Sequence, residues 1–462
     1  MTDRFSAFRS GPLTLTSAGL FTDLYELTMA AAYHRERMTA PATFSLFARR
    51  LPHGRGFLVA AGLEPALDYL AAFRFDAESL AYLASLGLFD DEFLGFLAGL
   101  RFTGQVRAAP EGMLLGAEEP LLEVTAPVIE AQLVETALLN ICHVHTLLAS
   151  KAARVVLAAR GRPVSEFGVR RSQGIDAGLA GARAAWIACC ASTSDVLAGA
   201  TWGLPLAGTM AHAFVTAFPS ELDAFRAYAR AFPDGATLLI DTYDTLEGAR
   251  HAATVAAELA ARGHRLAAVR LDSGDLGSLS RKVRAILDEA GFPDVRILVS
   301  GGLDEHDVDT LLEGGAPIDG FGIGTRMAVS SDAPSLDLVY KMVRYADRDV
   351  LKLSEGKVTW VGAKQVYRFR QDGRIASDML ALADEPLPDG AEPLLEAVMR
   401  DGALTRPHPP LAAARARCAA ELAALPEPAR RLDDPRAWPV GPSAALRARQ
   451  HSAMEAVRAR RA

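Results

Sequence analysis

The stretch RILVSGGLDEHDVDTLLEGGAPIDGFGIGTR, from Arg296 to Arg326, decides the fold. It holds two short apolar runs, each ending in a glycine turn, with a helix-patterned span between them. Apolar runs bounded by glycine read as buried strands, so the stretch is one strand-helix unit and the start of the next. Glycine lacks a Cβ, which lets backbone N–H groups approach an anion, and a helix N-terminus favours negative charge there. Two such turns, late in a strand-helix series, predict a seat for a phosphorylated sugar or nucleotide.

The same rhythm extends backward through PVSEFG (163–168), LAGTMAH (206–212), ATLLIDTYD (236–244) and LAAVRLDSGD (266–275). Short apolar strands alternating with helical spans predict a parallel sheet, and right-handed crossovers curl such a sheet into an irregular or incomplete β/α barrel. Upstream, LYELTMAAAYH has helical spacing, ATFSLFARR and GQVRAAPEGMLL read as strands, and residues 128–160 read as one long helix. Downstream, VYKMVRY, VLKLSEGKVTWVG (350–362) and KQVYRFR read as strands returning to the N-terminal region. A Pro- and Ala-rich tract from Asp384 to Pro442 reads as a surface-wrapping extension ending in a basic helix. The expected organisation is an α+β region over 1–145, a barrel over 146–345, and C-terminal strands with the extension over 346–462.

With 462 residues, the chain exceeds what one core normally serves. Lys and Arg total 49 against 56 Asp and Glu, a net charge of −7, which argues against a nucleic-acid coat. The N-terminus lacks a charged-then-apolar leader pattern, and no run reads as a membrane span, so the expected compartment is the cytoplasm. The four cysteines have neither CxxC nor HxxxH spacing, so no zinc site or disulfide framework is expected.

Catalytic groups of a β/α barrel sit at the C-terminal ends of its strands, and polar clusters recur there. They are Glu166 to Gln173, Thr209 with His212, Asp241 with Asp244, Arg270 with Asp272 and Asp275, Ser300 to Gly302, and Gly322 to Thr325. Arg170, Arg171 and Arg270 present planar donor forks suited to carboxylate or phosphate. Asp241, Asp244, Asp272 and Asp275 suit Mg²⁺ or ribose hydroxyls, and spacing does not say which does which. His212 is a candidate nucleophile or base, with Asp241 on the next strand placed to hold one ring nitrogen. His143 and His145 lie on an apolar helix and read as structural.

LFTDLYELTMAAAY, EFGVRRSQG, GTMAHAF, IDTYDTLEGA, VRLDSGDL, VSGGLD and GFGIGT, in that order, resemble nicotinate phosphoribosyltransferase, as does the later KLSEGKVTWVGAKQVYR. The resemblance implies a type II phosphoribosyltransferase: a β/α barrel with a smaller α+β domain from the N- and C-terminal segments, in a homodimer with shared active sites. It implies that nicotinate and 5-phosphoribosyl 1-diphosphate give nicotinate mononucleotide and pyrophosphate in NAD salvage. ATP hydrolysis would be coupled through a phosphohistidine, with Mg²⁺ as cofactor. Carried over by motif, His212 is the phosphorylated residue and Asp241 orients it. Tyr25 and Phe167 stack on the pyridine ring, and Thr209 and Arg270 contact nicotinate. Arg170 and Asp272 serve the phosphates and ribose, while Ser300, Gly301, Gly302, Gly324 and Thr325 hold the 5-phosphate. One departure is Asp195 in STSDVLAG, where nicotinamide-using relatives have aspartate to meet a carboxamide. Two other readings therefore stand beside the first: a nicotinamide-using enzyme, and a non-catalytic nucleotide-binding homologue.

Overall fold

The computed structural model describes residues 18–353 and 359–459. The stretch read for a leader, the middle of the strand expected over 350–362 and the end of the C-terminal helix fall outside them. The described parts of 350–362 form no strand. The chain divides into two compact units, Lys151–Asp332 and a second built from Met1–Ser150 with Ala333–Ala462.

The first unit carries six parallel strands: β1 (Val164–Glu166), β2 (Ser192–Thr193), β3 (Thr237–Leu239), β4 (Ala268–Leu271), β5 (Arg296–Val299) and β6 (Gly320–Ile323). Their order in the sheet is β2-β1-β6-β5-β4-β3. Leu298 pairs with Gly320 across β5 and β6, and Phe321 with Val164 across β6 and β1, so all six C-terminal ends share one edge. Helices follow the strands: α1 (Ile175–Ile187), α2 (Val196–Trp202), α3 (His212–Thr216), α4 (Glu221–Ala231), α5 (Thr245–Ala260), α6 (Leu276–Glu289), α7 (Glu305–Glu313) and α8 (Thr325–Ala328). Leu238, Val269, Leu271, Ile297, Val299 and Ile323 are wholly buried. Each such side chain contributes about 1.5–3 kcal/mol of burial.

The barrel is incomplete. LAGTMAH, expected as a strand, makes only one bridge, Leu206 to Thr193, and no ladder joins it to β3 among the described residues. The sixth strand is instead β2, too short at two residues to show any alternation in sequence.

In the second unit, a seven-stranded sheet runs in the order Arg348–Asp349, Leu338–Tyr345, Pro41–Ala48, Pro120–Pro127, Gln105–Ala108, Glu396–Arg400, Ala403–Leu404. Leu338–Tyr345, read as a strand returning to the N-terminal region, pairs with Pro41–Ala48. The Pro- and Ala-rich tract, however, is no mere surface wrap: Glu396–Arg400 pairs with Gln105–Ala108, and Leu394, Leu395 and Met399 are buried. With that tract drawn in, the unit expected to be the smaller holds most of the chain.

Residues 128–160, read as one helix, form two: Val128–Leu133 and Glu135–Ala158. The second is long and apolar enough to cross a membrane, yet 72% of its most apolar window is buried in the protein, the pattern of a core helix. His143 accepts from the Leu336 N–H at 2.9 Å, and burial lowers its pKa, in keeping with a structural role.

Candidate active site

The shared strand edge of the first unit gathers most of the expected residues. The first glycine turn follows β5. Ser300 is buried and its N–H donates to the Leu271 carbonyl at 2.9 Å, while its hydroxyl donates to Asp272 Oδ1 at 2.5 Å. At Gly301 φ is +100°, and a Cβ there would lie 1.9 Å from the Asp272 carbonyl oxygen, so only glycine fits. Among the described residues, the Gly301, Gly302 and Gly324 N–H groups have no acceptor.

The second turn follows β6. Phe167 donates its N–H to the Ile323 carbonyl at 2.8 Å, and its ring occupies the space a Gly322 side chain would need. Phe167 is thereby packed against the second turn. Gly324 then leads into α8 at Thr325.

Arg270, at the end of β4, is partly buried. Its Nη1 donates to Thr209 Oγ1 at 2.5 Å, while its buried Nε has no partner. Burial lowers its pKa, with Asp272 and Asp241 opposing and the nearby Arg170 cation adding to the lowering. A half-satisfied buried guanidinium beside a second cation is an anion-seeking arrangement.

Geometry sorts the four carboxylates that spacing left open. Asp244 caps α5 through the Leu246 and Glu247 N–H groups, and Asp275 caps α6 through the Ser278 N–H. Asp241 caps nothing. Its Oδ2 accepts from the Asp272 N–H at 2.9 Å and the Ser273 hydroxyl at 2.6 Å, and its buried Oδ1 has no partner. Contrary to the expectation from the sequence, Asp241 therefore makes no hydrogen bond to His212. The exposed His212, first residue of α3, has Nδ1 3.1 Å from Thr242 Oγ1. Thr242 lies in the bend that follows β3, and that bend hands it the contact.

Asp195 also has a defined task. It caps α2, its Oδ1 accepting from the Leu197 and Ala198 N–H groups at 2.9 and 3.2 Å. Nearby, buried Glu166 accepts from the Thr193 hydroxyl at 2.7 Å and from the Gly168 N–H, fixing the loop that carries Phe167 and Arg170. Desolvation, chiefly, raises the Glu166 pKa.

Tyr25 belongs to the other unit, on helix Leu24–Arg35, where its side chain is 47% exposed. Burial of its hydroxyl end and the Glu135, Glu26 and Asp23 carboxylates raise its pKa and keep it protonated.

The sheet and its polar edge define an incomplete β/α-barrel protein with a candidate site at the strand ends. Comparison with known proteins narrows the class. Residues 20–143 match the nicotinate phosphoribosyltransferase N-terminal domain and residues 388–450 its C-terminal domain. A nicotinate phosphoribosyltransferase of Mycobacterium tuberculosis, pncB2, is 51% identical over 90% of this chain and 89% of its own length. That of Bacillus subtilis is 42% identical over 81% and 78%. The crystal structure of human nicotinic acid phosphoribosyltransferase superposes with a TM-score of 0.85 at 33% identity, covering 93% of this chain and 99% of that one. The chain belongs to the nicotinate phosphoribosyltransferase family.

Proposed function

We propose that the protein transfers the phosphoribosyl group of 5-phosphoribosyl 1-diphosphate to nicotinate, giving nicotinate mononucleotide and pyrophosphate. ATP hydrolysis is coupled to the transfer through phosphorylation of His212, and the product enters NAD salvage. Family membership supports the transfer, and one observation carries the assignment of the base: Arg270 is partly buried at the strand ends, with its buried Nε unpaired and Nη1 on Thr209. A carboxylate completes that donor set, whereas a neutral carboxamide leaves the cation uncompensated.

In this reading the two glycine turns seat the 5-phosphate through the free N–H groups of Gly301, Gly302 and Gly324, with Ser300 and Thr325 beside them. Asp272, held by Ser300, takes the ribose hydroxyls, and Arg170 faces the diphosphate. Nicotinate lies on Phe167, its carboxylate on Arg270 and Thr209. Tyr25, from a second copy of the chain in a homodimer with shared sites, covers the other ring face. The pyridine nitrogen donates its electron pair to ribose C1 as the C1–O bond breaks, and pyrophosphate leaves with that bond's electrons. The oxocarbenium-like centre needs alignment and charge stabilisation and no protein nucleophile.

The residues also fit Mg²⁺. No cluster of three or more metal-ligating side chains occurs among the described residues, but Mg²⁺ on a diphosphate needs only one or two carboxylates with water. Asp241, with its orphaned buried Oδ1, and the adjacent Asp272 would hold it. Bound there, the ion supplies charge neutralisation on the departing diphosphate.

His212 serves the ATP cycle. With Nδ1–H donated to Thr242, Nε2 presents its lone pair to the γ-phosphoryl group, and ADP leaves as the N–P bond forms and the bond to its β-phosphate oxygen breaks. The resulting anion beside the site changes the relative affinity for diphosphate substrate and product. Asp195 caps α2 through Oδ1, a structural task that it has whichever base binds. The test is an assay of mononucleotide, pyrophosphate and ADP with each base, with and without ATP. Nicotinate turnover raised by ATP is the expected result. Preference for nicotinamide, or no pyrophosphate from either base, would refute it.

A further inference from the structure

We propose that Arg326 is a positioning residue that locks the spacing of the two glycine turns and offsets the acidic cap beside them, an inference that rests on the phosphoribosyl reading above. Arg326 lies two residues beyond Gly324, and Asp304 lies two residues beyond Gly302. Asp304 and Asp307 form a capping box at the start of α7: Asp304 Oδ1 accepts from the His306 and Asp307 N–H groups, and Asp307 Oδ2 from the Asp304 N–H. Arg326 Nη1 then donates to Asp304 Oδ2 at 2.6 Å and to Asp307 Oδ2 at 3.0 Å. One guanidinium from the second turn's helix thus grips the cap of the first turn's helix.

The topology explains why such a grip is needed. β5 and β6 share only two paired positions, Leu298 with Gly320 and Val299 with Phe321, and the ladder ends below the turns. Above it, nothing in a parallel sheet fixes the gap between successive loops. The Arg326 grip closes a ring: β5, first turn, cap, Arg326, second turn, β6. On the buried side Lys151 does related work, its ammonium lying against Glu305 Oε2 at 2.5 Å and Asp332 Oδ1 at 2.8 Å. Glu305 is the first residue of α7 and Asp332 follows α8, so the two helices are tied on two sides.

Charge gives Arg326 a second task. An incoming phosphate meets two carboxylates at the start of α7, where an anion would otherwise be favoured by the helix dipole. Arg326 offsets that negative charge without occupying the turn itself. Its side chain is 46% exposed, so its removal leaves the cap's own hydrogen bonds in place.

The experiment compares Arg326→Gln and Arg326→Lys with the unaltered protein, reading KM for each substrate, kcat, melting temperature, and direct calorimetric binding of 5-phosphoribosyl 1-diphosphate. In Arg326→Gln, KM for the diphosphate rises about tenfold, short of the roughly hundredfold that a full 1 Å misplacement can cost. KM for nicotinate and the melting temperature stay put, and Arg326→Lys recovers part of the loss. An unchanged diphosphate KM in Arg326→Gln overturns the proposal, and so does a parallel rise in both KM values. If the unaltered protein binds no 5-phosphoribosyl 1-diphosphate, the functional reading itself fails. Binding by the unaltered protein with equal affinity in Arg326→Gln removes only the grip.

Discussion

Replacing Gly301 by alanine adds one methyl group where the first turn has no room for it. At φ +100° an L-residue carries backbone strain of about 1–3 kcal/mol. The new Cβ would stand 1.9 Å from the Asp272 carbonyl oxygen, whereas real Cβ contacts stay beyond 3.0 Å, so the two must separate by at least 3.0 − 1.9 = 1.1 Å. A displacement of that size takes an N–H donor out of hydrogen-bond reach of a seated phosphate. Losing one charge-assisted bond costs about 1.5–3 kcal/mol, or roughly 10- to 150-fold in affinity. Gly302→Ala is the internal control: φ is +70° but nothing lies within 4 Å of its Cβ, so it carries strain without collision. Steady-state kinetics at saturating nicotinate, with 5-phosphoribosyl 1-diphosphate varied, should show a much larger KM rise in Gly301→Ala than in Gly302→Ala. Equal effects, or none in either, would refute the assignment of this turn to the 5-phosphate.

Arg270→Gln should raise KM for nicotinate by roughly 10- to 150-fold, again on the scale of a charge-assisted bond, and leave KM for the diphosphate nearly unchanged; an unmoved nicotinate KM contradicts the role. His212→Ala should keep the fold by circular dichroism and lose ATP-dependent stimulation, and continued ATP consumption in step with mononucleotide formation would dismiss the phosphohistidine. Thr242→Val should consume more ATP per mononucleotide formed, since the ring loses its Nδ1 partner, while an unaltered ratio would mean Thr242 does not orient His212. Buried Glu26, which accepts from Thr22 and from Thr136 Oγ1 at 2.7 Å, has its pKa raised from 4.5 to about 7, chiefly by desolvation. Its folded value exceeds its unfolded one, so its contribution to stability is whole below pH 4.5 and is lost as pH rises through about 7. Melting temperatures from pH 4.5 to 8 should fall less steeply in Glu26→Gln, and identical slopes would remove Glu26 from the account.

The strand-helix rhythm was readable because buried parallel strands are continuous apolar runs and their turns need glycine. β4, β5 and β6 lie inside the stretches that announced them. LAGTMAH misled because an apolar run need not be buried: Leu206 is exposed and of the seven only Met210 lies in the core, while β2 escaped because two residues carry no period. Among the strand-end carboxylates, composition could not separate Asp241 and Asp272 from the capping Asp244 and Asp275, since both tasks use the same side chain at the same end of a strand. Thr242 was missed because it lies in a bend beyond β3, where no period foretells which side chain meets a neighbouring loop. Asp304 with Asp307 could have been read as a cap from their three-residue spacing, whereas the Arg326 grip joins separate strand-helix units and has no local signature. The burial of Leu394, Leu395 and Met399 was masked by the proline and alanine around them.

The open end of the sheet has a mechanical meaning for His212. Leu206 is held by one bridge to Thr193 and not by a ladder; further on the Arg270 and Thr242 side chains tether Thr209 and His212, and buried Val215 with the Phe214–Tyr228 ring pair packs the segment inward. Those two tethers end on the groups assigned to the base and to the phosphoryl carrier. On the proposed reading, occupancy of the base site and modification of the imidazole therefore act on one segment, whose leading end is held to the sheet by a bridge and not by a ladder.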